Sequence, residues 1–367
     1  MRPTSCEIDL DAIAKNVRTL AELAAPTPLC AVVKANGYGH GAVPVAKAAI
    51  AAGASWLAVA LVEEGLELRQ AGIDAPILVL SEPHADGMAA IVEHQLTPSV
   101  YTIGGIEALA REASSSPGPV PVHIGLDTGM RRVGAEPSTL EATVAEVRRH
   151  RSLQLDAIWT HCPVADEPDN PFTDEQLARF NSAVAPFEGV SQHVANSAAA
   201  LTRPDRDAMM MRCGISIYGI DPDALLAGVV ELHPAMTLRS EVSFVKQVEA
   251  GEGVGYGLSF VTTAPTTIAT VPIGYADGVR RDLGHRGGEV LIGGKRHPII
   301  GVVTMDQLMV DVRDAEVHPG DEAILVGSQG DETILAADVA SQLGTIPYEI
   351  ICAVSSRMPR NYSGGAA

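Results

Sequence analysis

Three kinds of residue are scarce in this chain of 367 residues: aromatic side chains make up 4%, and lysine and cysteine occur five times each. The cysteines (Cys6, Cys30, Cys162, Cys213 and Cys352) are odd in number, widely scattered and lack the paired spacing of a metal site. No disulfide framework and no metal centre is therefore expected, only reduced, mostly buried thiols. Positive charge is also in deficit, with 26 Lys and Arg against 45 Asp and Glu and a net charge of −19. Such a field repels nucleic acid and anionic membrane, so neither is expected as a partner. It also repels an anionic ligand, so a site for one must concentrate positive charge locally. No apolar run reaches membrane-spanning length; the best, residues 42–62, is interrupted by Lys47 and Gly53. The first residues, Met1-Arg2-Pro3-Thr4-Ser5-Cys6-Glu7, lack the regions of a signal peptide, and a cytoplasmic location is expected.

What is abundant is Ala, Val, Leu and Gly, within an apolar fraction of 46%. That is the composition of an α/β chain whose strands are covered by helices. Asp11 is placed to cap a first helix with the apolar stripe Ile13, Val17, Leu20 and Ala24. Strands are predicted at 29–33, 56–60, 77–80, 97–101, 120–126, 155–160, 192–195 and 209–212. Helical stripes lie between them, such as 63–71 closed by Gly72, and 140–147. Eight such units, mostly about 20 to 35 residues apart, match a closed (β/α)8 barrel, with an open doubly wound sheet as the alternative. From about Pro234 the texture changes to β-branched runs at 267–272, 298–303, 308–312 and 322–326, separated by Gly-containing turns. A late helix over 335–343 is closed by Gly344. The expected organisation is a barrel over residues 1–233 and a strand-rich domain over 234–367.

The densest chemical signal is Ala31-Val32-Val33-Lys34-Ala35-Asn36-Gly37-Tyr38-Gly39-His40-Gly41. A lysine at the tip of a buried strand sits half in a dry interior, where its free amine becomes available to form a Schiff base. The glycines let backbone approach a ligand closely, and Tyr38 can donate its hydroxyl to a phosphate. The plain alternative is a lysine snorkelling from an ordinary loop. Barrel chemistry gathers at the C-terminal strand ends. There the chain offers Lys34, Asp127-Thr128-Gly129-Met130-Arg131-Arg132, His161, Asn196-Ser197 and Arg212-Cys213-Gly214-Ile215-Ser216. The Ser197 hydroxyl with the Gly214 and Ile215 amides would form a phosphate cradle after strands seven and eight. Each has a structural alternative: Ser197 as a helix cap, His161 as a core histidine, Arg212 as half of an ion pair. Together the lysine, the cradle and the arginine add up to pyridoxal 5′-phosphate (PLP).

At this point the chain resembles the alanine racemases, fold-type III PLP enzymes, over nearly its whole length. The likeness rests on the lysine segment above, Asp127-Thr128-Gly129-Met130, Thr160-His161, Ala195-Asn196-Ser197-Ala198 and Arg212-Cys213-Gly214-Ile215-Ser216-Ile217-Tyr218-Gly219. Beyond the barrel it rests on Pro234-Ala235-Met236, Gly255-Tyr256-Gly257, Pro272-Ile273-Gly274-Tyr275-Ala276-Asp277-Gly278 and Met305-Asp306-Gln307.

The resemblance implies that Lys34 holds PLP, with Tyr38, His161, Asn196, Ser197, Arg212, Gly214 and Ile215 around the cofactor. It implies that Tyr256 faces Lys34 across it, Lys34 serving the D-enantiomer and Tyr256 the L-enantiomer of alanine. An ordinary tyrosine titrates near about 10, so nearby cations must lower it; His161 and Arg212 are the candidates, with His193 extending the network. Without the resemblance, Tyr256 reads equally as a buried aromatic of a β-domain turn. Arg212 at the pyridine nitrogen would donate without protonating the ring, favouring return of the proton to Cα over transamination. In the family Tyr256 and Met305 come from the partner subunit, so a homodimer is implied, with Arg132 and the Met305 amide binding the substrate carboxylate. Two positions depart from the family: Gly125, where a lysine is frequent, and Ser356, where a tyrosine is frequent. Arg131, beside Arg132, is a possible competitor for the carboxylate. Other readings are a racemase for another small amino acid such as serine, a PLP-binding protein without turnover, and a barrel decarboxylase of the same fold type.

Overall fold

The computed structural model describes residues 2–203 and 208–365, which divide into two compact units. The first comprises Ala12–Gly37 and Ala42–His233, and the second Met1–Asp11, Tyr38–Gly41 and Pro234–Ala367. The sequence reading placed residues 1–11 with the barrel. They join the second unit because β1 (Ser5–Asp9) is a strand of its sheet, antiparallel to Met236–Glu241 and parallel to Arg360–Ser363.

The first unit contains the eight anticipated strands: β2 (Leu29–Val32), β3 (Trp56–Val59), β4 (Ile77–Val79), β5 (Thr97–Val100), β6 (Val120–Gly125), β7 (Leu153–Trp159), β8 (Ser191–His193) and β9 (Met211–Cys213). All neighbours pair in parallel, in the order β8-β7-β6-β5-β4-β3-β2-β9. The ends of that order meet through two backbone bonds, Met209 N–H to the Gln192 carbonyl at 2.8 Å and Arg212 N–H to the Ala195 carbonyl at 3.0 Å. The sheet therefore closes into a barrel. Strands such as Leu29–Val32 and Ile77–Val79 are buried at every position, as helices covering the sheet require. The helix Leu10–Ala24 buries Ile13, Val17, Leu20 and Ala24 as the periodicity predicts. Its cap is different: Asp9 Oδ1 accepts the Asp11 N–H at 2.9 Å, because the helix begins two residues earlier than the sequence suggested.

The second unit is built on a ten-stranded sheet, with a helix over Ala336–Leu343 that ends at Gly344 in the left-handed region (φ 67°). A separate two-stranded hairpin, Gly253–Val254 with Phe260–Val261, carries Tyr256 at its tip between Gly255 and Gly257 (φ 73° and 72°).

Candidate active site

The segment after β2 departs from ordinary backbone. Ala35, Asn36, Gly37 and Tyr38 all take left-handed conformations, with φ between 50° and 60°. For residues with a Cβ this costs about 1–2 kcal/mol each, so the segment persists only because other bonds fix it. Gly37 N–H donates to the Val33 carbonyl at 2.9 Å, and Asn36 Oδ1 accepts from Ala42 N–H at 3.0 Å. Glu64 accepts from Ala35 N–H at 2.6 Å while also holding the amides of Ala60 and Leu61. Sequence reasoning missed Glu64; a glutamate in the first turn of a helix gives no sign of a neighbour 29 residues away.

Arg212, at the centre of β9, is buried and is gripped by acceptors from two neighbouring strand ends. One terminal nitrogen donates to His193 Nδ1 at 2.6 Å and to the His193 carbonyl at 3.2 Å. The other donates to the carbonyls of Thr160 at 2.8 Å and Val194 at 2.9 Å. The guanidinium lies 4.7 Å from the centre of the Trp159 ring, which stacks on His193. Burial lowers Arg212 to about 10, so it remains a cation at neutral pH. Its neighbours Cys30 and Cys213 are no counter-ions: burial raises both thiols, Cys213 to about 12. Four of its five N–H groups are taken; Nε–H has no partner among the described residues. The ion-pair reading of Arg212 does not hold.

His161 is the second centre. Burial, followed by the positive charges of Arg212, Arg132 and Lys34, pushes it down to about 3. The imidazole is therefore neutral, and so is His193, which burial and Arg212 hold well below the usual range. This corrects the expectation that His161 supplies a cation; burial first, and then the charges of Arg212, Arg132 and Lys34, keep the ring neutral. Arg132 and His161 share a small cavity with Tyr101, Gly125, Trp159 and Thr160. Arg132 has no hydrogen-bond partner among the described residues. Arg131 instead directs Nη1 at both oxygens of the Glu136 carboxylate, at 3.0 and 3.2 Å, in an exposed pair.

The expected phosphate cradle is partly reassigned. Asn196 caps the short helix Ser197–Thr202 through Ala199 N–H at 3.0 Å and donates its amide to the Cys162 carbonyl at 2.9 Å. Its side chain is thus engaged in holding the loop. Gly214 N–H donates to Ser197 Oγ at 2.8 Å, tying the loops after β8 and β9 together and leaving the serine O–H as the outward donor. Ile215 follows, buried, at the start of a one-turn 3-10 helix.

The remaining site residues belong to the second unit. Tyr38 is buried there, its ring centre 6.1 Å from that of Tyr348. Gly39 (φ 83°) could carry no side chain, since a Cβ would lie 2.2 Å from the Ile351 carbonyl oxygen. Tyr256 is 73% exposed and Met305 53% exposed, so Tyr256 is no core aromatic. Ser356 is followed by Arg357, which bonds Asp306 at 2.7 Å.

The sequence model of the alanine racemase N-terminal domain matches residues 8–222, and that of the alanine racemase C-terminal domain matches residues 235–362. The alanine racemase of Symbiobacterium thermophilum is 44% identical, covering 100% of this chain and 99% of its own. Among solved structures, alanine racemase from E. faecalis superposes with a TM-score of 0.94 at 42% identity, over 99% of this chain and 98% of that one. A histidine racemase from Leuconostoc mesenteroides superposes with a TM-score of 0.91 at 28% identity, over 99% and 98%. A lysine at the mouth of a closed barrel, a buried arginine with one donor to spare and a match in both domains lead to one conclusion: the chain belongs to the alanine racemase family.

Proposed function

We propose that this protein interconverts L- and D-alanine using PLP bound through Lys34, with Tyr256 of the partner subunit as the second acid–base group. The observation that carries the reading is the Arg212 clamp, with four donors satisfied and no partner for Nε–H among the described residues. That donor suits an uncharged ring nitrogen, an acceptor that a guanidinium bonds without protonating. PLP, when bound, supplies an electron sink that makes the Cα proton of an amino acid removable. The Ser197 hydroxyl and the Ile215 amide would hold the phosphate on the barrel side, with Gly214 fixing Ser197 from behind.

Inversion at Cα needs one group on each face, one taking a proton while the other delivers one. Lys34 is the base on the barrel side. Tyr256 sits on an exposed hairpin tip beside Leu258, 63% exposed, and Val261, an apolar display that suits insertion into a second copy. Arg132, without a hydrogen-bond partner among the described residues, and the Met305 amide of the partner subunit would take the carboxylate.

The test follows visible absorbance of the bound cofactor and L- to D-alanine conversion in wild type, Lys34→Ala and Tyr256→Phe, alongside a panel including serine. Expected are loss of absorbance and of activity by about 10⁴-fold in Lys34→Ala, and loss of activity with absorbance kept in Tyr256→Phe. Wild-type protein without a PLP band, or Lys34→Ala with full activity, would overturn the reading. A preference for serine would replace the substrate alone.

A further inference from the structure

Behind Arg212 runs a line of polar side chains through the barrel interior that the reaction as described does not use. His193 Nε2 lies 3.0 Å from His123 Nδ1, and His123 Nε2 faces Asp156 Oδ2 at 3.4 Å. His193 and His123 are fully buried and their rings lie 5.0 Å apart, whereas the Asp156 side chain is 30% exposed. The line thus runs from the guanidinium, through two imidazoles, to a carboxylate that touches solvent.

The direction of every proton in it follows from its first member. A guanidinium only donates, so His193 Nδ1, 2.6 Å away, must present a lone pair. A neutral His193 then carries its proton on Nε2 and donates it to His123 Nδ1. His123 in turn carries its proton on Nε2, facing Asp156. Reversing either ring sets two donors or two lone pairs against each other in a dry interior, where an unmet polar group is costly. Burial keeps both rings uncharged, and the approach of His123 to 3.4 Å, short of a well-formed hydrogen bond, holds Asp156 below the usual carboxylate range. The donor at one end, Arg212, and the acceptor at the other, Asp156, thus require the same sense along the line.

We infer that His123 and Asp156 are positioning residues for the reaction: they lock His193 in its Nε2–H tautomer, and so hold Arg212 with Nε–H turned into the site. The consequence for turnover rests on the function proposed above; the tautomer does not. Outer partners that orient a ligating histidine are typically worth about 10- to 100-fold in activity when removed, and an effect of that size is expected here.

The experiment uses holoenzyme labelled with 15N-histidine, together with steady-state kinetics of His123→Leu, His123→Asn and Asp156→Ala. In wild type the His193 Nδ1 signal is expected to be unprotonated and the Nε2 signal protonated. His123→Leu removes the acceptor and should lower kcat about 10- to 100-fold with little change in KM. His123→Asn puts an amide oxygen where Nδ1 was and should recover most of that loss together with the wild-type His193 signals. Asp156→Ala should leave a mixture of His123 tautomers and a smaller loss of kcat. A protonated His193 Nδ1 in wild type overturns the inference whatever the activity. So does an Asn variant no better than Leu or, should Leu not fold, an Asp156→Ala protein with unchanged histidine signals. A wild type without racemase activity would instead sink the function above and leave the tautomer result standing.

Discussion

The two units present their chemistry in opposite ways. In the barrel the groups that count are enclosed and bonded on nearly every side: Arg212 has four acceptors, His193 a partner on each nitrogen, Ser197 a tie to Gly214. In the second unit the corresponding groups are displayed: Tyr256 stands on a two-stranded hairpin and Met305 is half exposed. An electrostatic site works by holding charges and dipoles in place before anything binds, which demands enclosure. A group meant for another copy of the chain must remain uncovered until that copy arrives. On the function proposed above, the contrast would separate what one chain completes by itself from what it lends.

The strongest way to break this comparison is dilution. When the protein is diluted until subunits separate, alanine conversion should vanish while cofactor absorbance largely persists; full activity in an isolated single chain, checked by light scattering beside the assay, would show that nothing is lent. Next is Gly39→Ala, which should destabilise the second unit by about 3 kcal/mol, since the added Cβ combines a left-handed φ with an overlap at Ile351; denaturant unfolding measures it. The enclosure of the barrel predicts acid sensitivity. His161, His193 and His123 all bind protons less readily in the fold, so the unfolded chain takes up more protons as pH falls from about 6.5. Stability should drop over that range, and His161→Gln should make the drop shallower by up to about 1.4 kcal/mol per pH unit between about pH 6 and 3; melting curves against pH decide it. The smallest effect belongs to Arg131→Ala. An exposed pair with Glu136 is worth less than about 1 kcal/mol, and KM for alanine should stay unchanged, whereas a falling KM would mean that Arg131 does divert the substrate.

The barrel could be read in the sequence because each strand is a short apolar run followed by a helix stripe, a local pattern. Lys34, His161 and Arg212 were legible from their places at strand ends. Other features depend on residues far apart in the chain. β1 escaped notice because Ser-Cys-Glu-Ile-Asp is brief and its partners lie more than 200 residues away. The neutrality of His161 is set by cations from three other strand ends. His123 looked like part of an apolar strand, and only the register of β6 against β7 and β8 aligns it with His193 and Asp156. Asn196 illustrates the reverse: its motif was found, but its side chain caps a helix and holds Cys162 rather than reaching outward.

The position of β1 has a consequence for how the chain matures. Residues 5–9 are synthesised more than 200 residues before Met236–Glu241 and Arg360–Ser363, the two strands between which they lie. The barrel can assemble while translation proceeds, but this sheet must wait for residue 363, with its opening strand unpaired throughout. Between those two moments the backbone donors and acceptors of this strand have none of their sheet partners.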